Sequence, residues 1–469
     1  MSSTRHRVRK KQLRVLSSTG NLGDTIIEKG TFYKGLERDL DFLAADAGTA
    51  DCGPAFLGAD CAHNPVEWER HDLELLLLAA REKDIPLIIG SCSTTGSRRG
   101  VDLYQALVME IAEAHGLKPF RLATIYSDID KQDLLSRIQK GPIEPLGADK
   151  ALSAADIEAS NHITAMMGSE PLIHALDQGA DVILAGRCCD DAVYAAYPIF
   201  LGFPRGLALH LGKAIECASL VCWPQRVKES VVGTINHDWF SLEPIHPEQR
   251  ATTHSVAAHS MYERVDPYVQ GVPGGTLDMH ETVYEQSTDR ICVVSGSRYI
   301  PSADGSYKVK LEGAGEVGYR VFHFVAIRDP LAISWIDKIL EDTRNKVAEI
   351  LHPRKEPGDY ELHLHVYGKN GVMRDLEPDA ANMGHELGIM IEAIASSADI
   401  AETVVKCAKF RFFYLAYPGQ KNASGGSAAI VVDEPLFPRN KAYRWTINHL
   451  LQLSDPLEIH KVNMFDVGV

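Results

Sequence analysis

Residues 39–58 read DLDFLAADAGTADCGPAFLG, an apolar run that leads into two aspartates framed by glycines. The apolar part is typical of a buried strand, which the Asp-Ala-Gly sequence that begins at Asp46 cannot easily continue. Open α/β sheets bind their ligands at the carboxyl ends of their strands. Asp46 and Asp51 are therefore candidate catalytic carboxylates, although Asp-x-Gly sequences also form plain connecting turns.

The same arrangement recurs along the first half of the chain. Four more apolar runs, at residues 13–18, 85–90, 121–126 and 181–185, alternate with helical patterns at residues 72–81, 101–115, 133–139 and 160–176. This alternation indicates βαβ units, and we predict an α/β fold with a parallel, Rossmann-like sheet. The polar positions expected to meet at one edge of that sheet are Asp24, Asp46, Gly90, Asp128 and Arg187.

The pattern changes after residue 225. Short alternating runs at residues 290–297 and 307–311 predict an antiparallel extension. The stretch PRKEPG at residues 353–358 then separates an amphipathic helical pattern from a smaller mixed pattern. We predict an α/β domain at residues 12–352 and a ferredoxin-like α+β domain at residues 359–469, with the boundary between residues 352 and 360.

Composition narrows the functional classes. A chain of 469 residues with a net charge of −15 repels nucleic acid and anionic membranes. No apolar run reaches the roughly 20 residues of a membrane span. Nine cysteines without a pairing pattern, and no apolar amino-terminal leader, favour a reducing compartment. We expect a cytoplasmic homo-oligomer that binds a small acidic substrate, with neither nucleic acid nor membrane as a partner.

One loop is a candidate anion site. Gly90, Ser91, Cys92, Ser93 and Thr94 stand between an apolar run and a helical pattern that begins near two arginines. Hydroxyl groups and backbone amides at a helix amino terminus suit a carboxylate or a phosphate, but an ordinary helix cap has the same composition. Cys92 could act as a nucleophile there, and a packed thiol is the alternative.

Charged residues elsewhere complete the candidate site. Arg187 and Asp190 follow the fifth run, where the guanidinium group could bind a substrate carboxylate or pair with a neighbouring aspartate. Asp24 follows the first run, and Lys310 and Glu312 lie near a later strand end. The predicted catalytic residues are Asp46, Asp51, Arg187 and Asp190, while Asp24, Lys310 and Glu312 join the loop from Gly90 to Thr94 as predicted substrate-binding residues.

Several familiar chemistries lack their motifs. The chain contains no Gly-x-Ser-x-Gly, His-Glu-x-x-His or Cys-x-x-Cys sequence. It also carries no nucleotide or flavin signature, so the cofactor stays unassigned. Asp46, Asp51 and Asp190 could hold a hard divalent ion, which keeps metal-assisted hydrolysis open as an alternative.

Ordered sequence blocks give a more specific indication. They are DAGTADCGPAFLG from Asp46, IIGS from Ile88, MGSEP from Met167, GADVILAGR from Gly179, VAAHSMYE from Val256, PGGTLD from Pro273, VSGS from Val294 and KLEGA from Lys310. Together they resemble the acyclic terpene utilisation protein family. The resemblance implies an α/β amino-terminal domain accompanied by a ferredoxin-like domain, and a pathway that proceeds through acyl-CoA intermediates.

These observations favour an enzyme that acts on a small carboxylic acid or its acyl thioester. Proton chemistry remains once redox and serine-hydrolase signatures are missing: a lyase, a hydratase or dehydratase, or an isomerase. One aspartate would act as the base, and Arg187 with the loop amides would hold the developing enolate charge. A non-catalytic subunit that binds a small acid or a partner protein is the alternative from another class.

Overall fold

The computed structural model of the chain describes residues 10–147, 150–351, 359–421, 428–429 and 439–468. The chain forms two compact units, one made of Met1–Gly315 with Trp445–Val469 and one made of Glu316–Arg444. Trp445–Val469 thus falls in the first unit, although the sequence pattern groups it with the smaller domain. Residues 352–358 lie outside the described residues, so the domain boundary predicted there stays a prediction.

The strands of the described residues are numbered in chain order. They are β1 (Leu13–Ser17), β2 (Phe42–Gly48), β3 (Leu87–Thr94), β4 (Phe120–Ile125), β5 (Glu144–Pro145), β6 (His162–Ala165), β7 (Val182–Ala185), β8 (Val231–Ile235), β9 (Trp239–Pro244), β10 (Val269–Val272), β11 (Gly275–Asp278), β12 (Val283–Gln286), β13 (Cys292–Ser295), β14 (Arg298–Pro301), β15 (Tyr307–Ile327), β16 (Tyr360–Tyr367), β17 (Leu387–Ala395), β18 (Ala428–Ala429), β19 (Asn440–Leu453) and β20 (Val462–Val467).

The helices are numbered in the same way. They are α1 (Lys29–Leu36), α2 (Pro54–Ala59), α3 (Val66–Lys83), α4 (Arg98–Ala114), α5 (Lys131–Ile138), α6 (Ala154–Ala159), α7 (Ser169–Asp177), α8 (Asp190–Phe200), α9 (Arg205–Ile215), α10 (Thr253–Met261), α11 (Pro330–Ser334), α12 (Ile336–Leu351) and α13 (Ala398–Phe413). Short 3-10 turns occupy Ala218–Val221 and Arg374–Leu376.

A ten-stranded mixed sheet forms the centre of the first unit, in the order β12-β13-β9-β8-β1-β2-β3-β7-β4-β20. Its middle strands β1, β2, β3, β7 and β4 are parallel. The prediction of an α/β fold with adjacent parallel strands is therefore confirmed. The antiparallel strands β8 and β20 flank this parallel part by pairing with β1 and β4.

Apolar residues cover both faces of the parallel strands. Val15, Ala44 and Ile88 pack with α7 to α9 on one face. Their sequence neighbours Leu16 and Ile89 pack with α3 and α4 on the other. Because successive strand residues point to opposite faces, strands buried on both sides must be apolar throughout, and polar side chains are left to the strand ends.

One predicted helix is wrong in its first half. The sequence pattern predicts a helix over residues 160–176, yet His162–Ala165 form strand β6 and helix α7 begins only at Ser169. Ala165 and Ile163 pair in antiparallel register with Leu311 and Gly313 of β15. The apolar spacing fits either structure, and the long-range pairing decides in favour of a strand.

The second unit follows the order strand, helices, strand, strand, helix, and then the two-residue strand β18 and the start of β19. The later part of β15 pairs with β17, and β17 pairs with β16, all antiparallel. Helices α11 to α13 supply the apolar side chains that pack on this sheet, among them Ile336, Val347 and Val404. The unit therefore has its own hydrophobic core. Within the part of the chain that the structure describes, no helix combines the length and apolar character that a membrane crossing needs.

Candidate functional site

A cavity of about 380 Å³ lies at the carboxyl ends of β1, β2 and β7 in the first unit. We call it the edge pocket. Its walls come from the loops that follow these three strands, together with β15 and the segments around Lys228 and Tyr262. Crevices outside the carboxyl ends of parallel strands are the usual ligand sites of open α/β sheets. The edge pocket is therefore the candidate active site.

Five predicted site residues line the edge pocket, and they come from four different segments. They are Asp24, Asp51, Arg187, Asp190 and Lys310. Asp46 and Glu312 lie behind the wall, at 1% and 4% exposure. Strand topology thus brings together residues that are up to 286 positions apart in the chain.

Arg187 is held from several sides. Its Nε donates to Oε2 of Glu312 at 2.9 Å, and its Nη1 donates to Oγ of Ser91 at 3.4 Å. Its backbone amide donates to Oγ of Ser127 at 2.8 Å. Lys310 Nζ donates to the other oxygen of Glu312 at 2.7 Å. These bonds fix a buried guanidinium group in the pocket wall and place an ammonium group beside it.

The charges in this cluster stabilise one another. Burial by itself lowers the pKa of Arg187, but Glu312, Asp190 and Asp46 outweigh that effect and leave the pKa raised. Burial by itself raises the pKa of Glu312, but Arg187 and Lys310 outweigh it and lower the pKa to about 2. Glu312 is therefore a permanent anion that positions two cations at the pocket.

Asp46 differs from Glu312 in its surroundings. Its Oδ2 accepts from the amide of Gly48 at 3.3 Å, whereas its Oδ1 is buried without a hydrogen-bond partner among the described residues. Burial and the charge of Asp190 raise the pKa of Asp46 well above its usual value. A Cβ atom at Gly90 would lie 2.8 Å from this Oδ1, so the neighbouring strand needs glycine there. Asp46 is thus a buried carboxyl group that favours its neutral form.

Asp190 is the carboxylate best placed for proton transfer. It begins helix α8 and lines the edge pocket together with Arg187. Burial raises the pKa of Asp190, while Arg187 and Lys213 act in the opposite direction. Its neighbour Asp191 is 2% exposed, and burial together with the charge of Asp190 raises the pKa of Asp191 to about 6. A carboxyl group with a raised pKa that faces a pocket is suited to general acid–base work.

Lys228 holds the opposite wall of the pocket. Its ammonium group bonds to Oγ1 of Thr19 and to the carbonyl oxygen of Asn21, and it lies 2.5 Å from Oδ1 of Asp24. The side chain of Lys228 is 3% exposed. All three N–H groups of the ammonium therefore have partners. Lys228 therefore fixes the loop that follows β1, and the carboxylate of Asp24 is its partner in an ion pair.

A second polar cluster borders the pocket near Tyr262. Lys213 bonds to Glu216, lies 3.5 Å from Glu263 and sits 4.0 Å from the centre of the Tyr262 ring. Tyr262 donates to Glu216 at 3.3 Å. Burial and the charge of Asp190 raise the pKa of Glu216 well above its usual value. Tyr262 and Glu263 line the edge pocket, while Lys213 and Glu216 support them from behind.

Gly90 to Thr94, predicted as a loop, instead form the second half of strand β3, and they do not line the edge pocket. Ser91, Cys92, Ser93 and Thr94 are all 0% exposed. Ser93 donates to Glu69, Thr94 accepts from the amide of His63, and Cys92 packs in the core beside α3 and α4. Ser91 alone reaches the site, through Arg187. Direct anion binding by this segment therefore has no support in the geometry, and its role stays a prediction.

Sequence reasoning missed Cys217, Lys228, Tyr262 and Glu263, which also form the pocket wall. Lys228 and Cys217 lie in irregular segments, where no periodicity marks a position as facing a ligand. Tyr262 and Glu263 end the block VAAHSMYE, one of the blocks that carry the family resemblance. Their place in that block is the sequence feature that could have identified them as site residues.

The pocket residues do not assemble a metal site. Among the described residues, no group of three or more histidine, cysteine, aspartate or glutamate side chains is placed to hold an ion. Asp24 is engaged by Lys228, and Asp46 lies behind the wall without facing the pocket. The three aspartates considered from the sequence, Asp46, Asp51 and Asp190, therefore do not converge on one ion site.

Comparison with known proteins supports the resemblance. The family model described as acyclic terpene utilisation family protein AtuA matches residues 13–226. No curated protein and no solved structure matches the chain. The matched segment includes the five parallel strands, Arg187 and Asp190, while Lys310 and Glu312 lie beyond it. Residues 13–226, a little under half of the chain, are thus similar to the acyclic terpene utilisation family.

Proposed function

We propose that the protein binds a small carboxylic acid or its acyl thioester in the edge pocket and acts on it by proton chemistry. The class would be a lyase, a hydratase or dehydratase, or an isomerase. The observation that carries the proposal is the presence of Arg187, a buried and fixed guanidinium group, beside Asp190 in one pocket wall. A cation for the substrate and a carboxylate for its proton thus lie within one small cavity.

The proposed step starts with the substrate carboxylate or thioester carbonyl held by Arg187 and Lys310. Asp190 takes a proton from the adjacent carbon, and the electron pair of the broken C–H bond moves into an enolate. The negative charge that develops on the enolate oxygen is stabilised by the two fixed cations. Return of the proton, or loss of a leaving group from the next carbon, completes the reaction.

The raised pKa of Asp46 gives it a supporting part in this proposal. Burial and the charge of Asp190 raise the pKa of Asp46 well above its usual value, which favours the neutral form of Asp46 and lessens the repulsion between two like charges. Asp51 lines the pocket at an exposed position, where it can contact substrate. We assign the acid–base role to Asp190, and Asp46 and Asp51 remain the alternatives expected from the sequence.

The finer fold and cellular assignments are proposals too. Five adjacent parallel strands with helices on both faces support a Rossmann-like description of the first unit. Apart from the two-residue strand β18, the order strand, helices, strand, strand, helix, strand supports a ferredoxin-like description of the second. All nine cysteines are free, which supports a cytoplasmic location. We also propose that the protein works as a homo-oligomer.

Turnover and binding together test the function. The full chain is incubated with a mixture of small carboxylic acids and acyl-CoA thioesters, and mass spectrometry follows which compounds disappear. We expect Asp190→Asn to abolish turnover while retaining binding, because an amide fills the same volume but does not accept the proton. Arg187→Lys loses the forked geometry and should weaken binding by about 1.5–3 kcal/mol.

The two readouts also separate the alternatives. Binding without turnover in the parent protein would favour a non-catalytic subunit that binds small acids. Full turnover in a folded Asp190→Asn protein would remove Asp190 from the acid–base role, and the same assay on Asp46→Asn and Asp51→Asn would then show which carboxylate acts. Thermal melting of each variant provides the folding control.

A further inference from the structure

The edge pocket contains more unpaired acceptors and negative charges than a simple acid requires. Four carboxylates line it, at Asp24, Asp51, Asp190 and Glu263, against the cations of Arg187, Lys228 and Lys310. Behind the wall, Glu312 pairs with both Arg187 and Lys310, and Lys213 pairs with Glu216. A ligand that is only an anion would therefore enter a site that is already negative.

The cations of the pocket are also occupied by protein groups. The three N–H groups of Lys228 are taken by Thr19, Asn21 and Asp24. Arg187 keeps donors for a substrate carboxylate beyond those bound to Glu312 and Ser91, because a guanidinium group has five N–H donors. Arg187 can thus bind one carboxylate of a ligand, whereas the rest of the wall has few free N–H donors for a second anion.

Unused acceptors complete the pattern. Asp51 and Asp190 form no ion pair among the described residues, whereas Asp24 pairs with Lys228 and Glu263 lies near Lys213. The side-chain Oδ1 of Asn21, another wall residue, is buried without a hydrogen-bond partner in the described part of the chain. A buried acceptor without a donor costs free energy unless a ligand supplies the donor. An ammonium group supplies three N–H donors and one positive charge.

We propose that the ligand of the edge pocket carries an amino group as well as a carboxylate, so that its substrate class is the small amino acids. Arg187 binds the carboxylate, and Asp51 and Asn21 receive the ammonium group, while Asp190 keeps the acid–base role. An organic cation suits this wall better than a divalent ion, since no three carboxylates among the described residues converge on one point. The inference rests on the proposed function, because it takes the carboxylate site at Arg187 as given.

A matched mixture tests the inference on the full chain. It contains propionate with alanine, butyrate with 2-aminobutyrate and 4-aminobutyrate, succinate with aspartate, and glutarate with glutamate. The protein is equilibrated with the mixture and EDTA, separated from free ligand by rapid filtration, and mass spectrometry measures the retained compounds. We expect at least one amino acid to be retained tenfold or more above the acid of the same carbon skeleton.

Variants separate the two ends of the ligand. Asp51→Asn should bring the retention ratio of amino acid to plain acid towards one, because it removes a negative charge that faces the ammonium group. Arg187→Lys should lower the retention of both members of a pair and leave their ratio unchanged. Lys34→Met, at an exposed position of α1, is the control that should change neither quantity.

The outcomes distinguish this inference from the proposed function. If plain acids are retained as well as or better than their amino partners, the amino-acid inference is overturned while the acid site stands. The amino-acid inference is also overturned if selectivity for the amino acids requires added Mg²⁺ in place of EDTA. If the folded parent protein retains no member of the mixture, the acid site itself is contradicted, and the inference falls with it.

Discussion

Glu69 and Glu312 are two buried glutamates of the first unit with opposite acid–base behaviour. Burial raises the pKa of Glu69 to about 7, and Oγ of Ser93 donates a hydrogen bond to this carboxyl group at 3.3 Å. Arg187 and Lys310 overcome the same burial effect at Glu312 and lower its pKa to about 2. At Glu69 burial outweighs the opposing effects of Ser93 and Arg99 and shifts the carboxyl group towards its neutral form, whereas at Glu312 two adjacent cations outweigh burial and keep the carboxylate charged.

The largest effect is expected from Glu312→Gln. Removal of this charge leaves the buried guanidinium group of Arg187 without its anion, which we expect to lower the free energy of unfolding by about 3–5 kcal/mol. Urea denaturation at pH 7 measures it. Glu158→Gln, at an exposed position on α6, serves as the control and should change stability by less than about 0.5 kcal/mol. A Glu312→Gln protein as stable as the control would contradict the assignment of Glu312 as the anchoring charge.

Glu69 should make the stability of the protein depend on pH, because its pKa is raised by folding whereas the pKa of Glu312 is lowered. Its pKa in the folded protein is raised to about 7 from an ordinary value of 4.5, so the folded state keeps a proton that the unfolded state has lost. Its stabilisation is complete below pH 4.5 and is lost as the pH rises towards 7. The whole change is on the order of 3 kcal/mol.

The Glu69→Gln variant isolates that contribution. The difference in unfolding free energy between parent and variant should change across pH 4.5–7, whereas Glu67→Gln, an exposed neighbour on α3, should show a constant difference. Urea denaturation at several pH values provides the measurement. A flat difference for Glu69→Gln would show that this carboxyl group titrates at its ordinary pKa.

Lys228 tests whether a buried cation also contributes to the stability of the first unit. Lys228→Met removes the ammonium group that bonds to Thr19, Asn21 and Asp24, and we expect a loss of about 1–3 kcal/mol in unfolding free energy. Thermal melting and urea denaturation follow it, with Lys34→Met as the exposed control. Unchanged stability would mean that the loop after β1 does not depend on this lysine.

The smallest effect is expected for an exposed pair. Arg70 and Glu110 lie 2.8 Å apart on α3 and α4, with side chains 36% and 63% exposed. Because solvent screens such a pair, Arg70→Ala should cost less than about 1 kcal/mol. A loss as large as that of Glu312→Gln would contradict the view that burial sets the strength of the ion pairs in this molecule.

Local sequence pattern is sufficient to predict the parallel core. Apolar runs such as the one before Asp46 predict buried strands, and short right-handed connections limit how such strands can be ordered. It is also sufficient to locate the carboxyl ends of strands, which is how Asp24, Asp51, Arg187 and Asp190 become candidates. These residues need only their position after a strand to be recognised.

Features that depend on distant partners were not predictable. The pairing of β6 with β15 converts a helical pattern into a strand, and β20 returns to β4 across more than 300 residues of sequence. Ser93 and Thr94 have positive φ angles at the end of β3, a backbone conformation that residues other than glycine rarely adopt and that their sequence does not signal. Lys228 lies at the pocket because it bonds to Thr19, Asn21 and Asp24, which are about 200 positions away in the chain.

Hydrogen exchange tests most directly whether the edge pocket performs proton chemistry on a bound acid. The full chain is incubated in D2O with the same mixture of acids and amino acids, and mass spectrometry follows the mass of each compound. We expect the parent protein to replace a hydrogen beside a carboxylate with deuterium, and Asp190→Asn to bind the compound without exchange. Retention of a compound by the parent protein with every carbon-bound hydrogen unexchanged and no turnover would contradict the proposed chemistry.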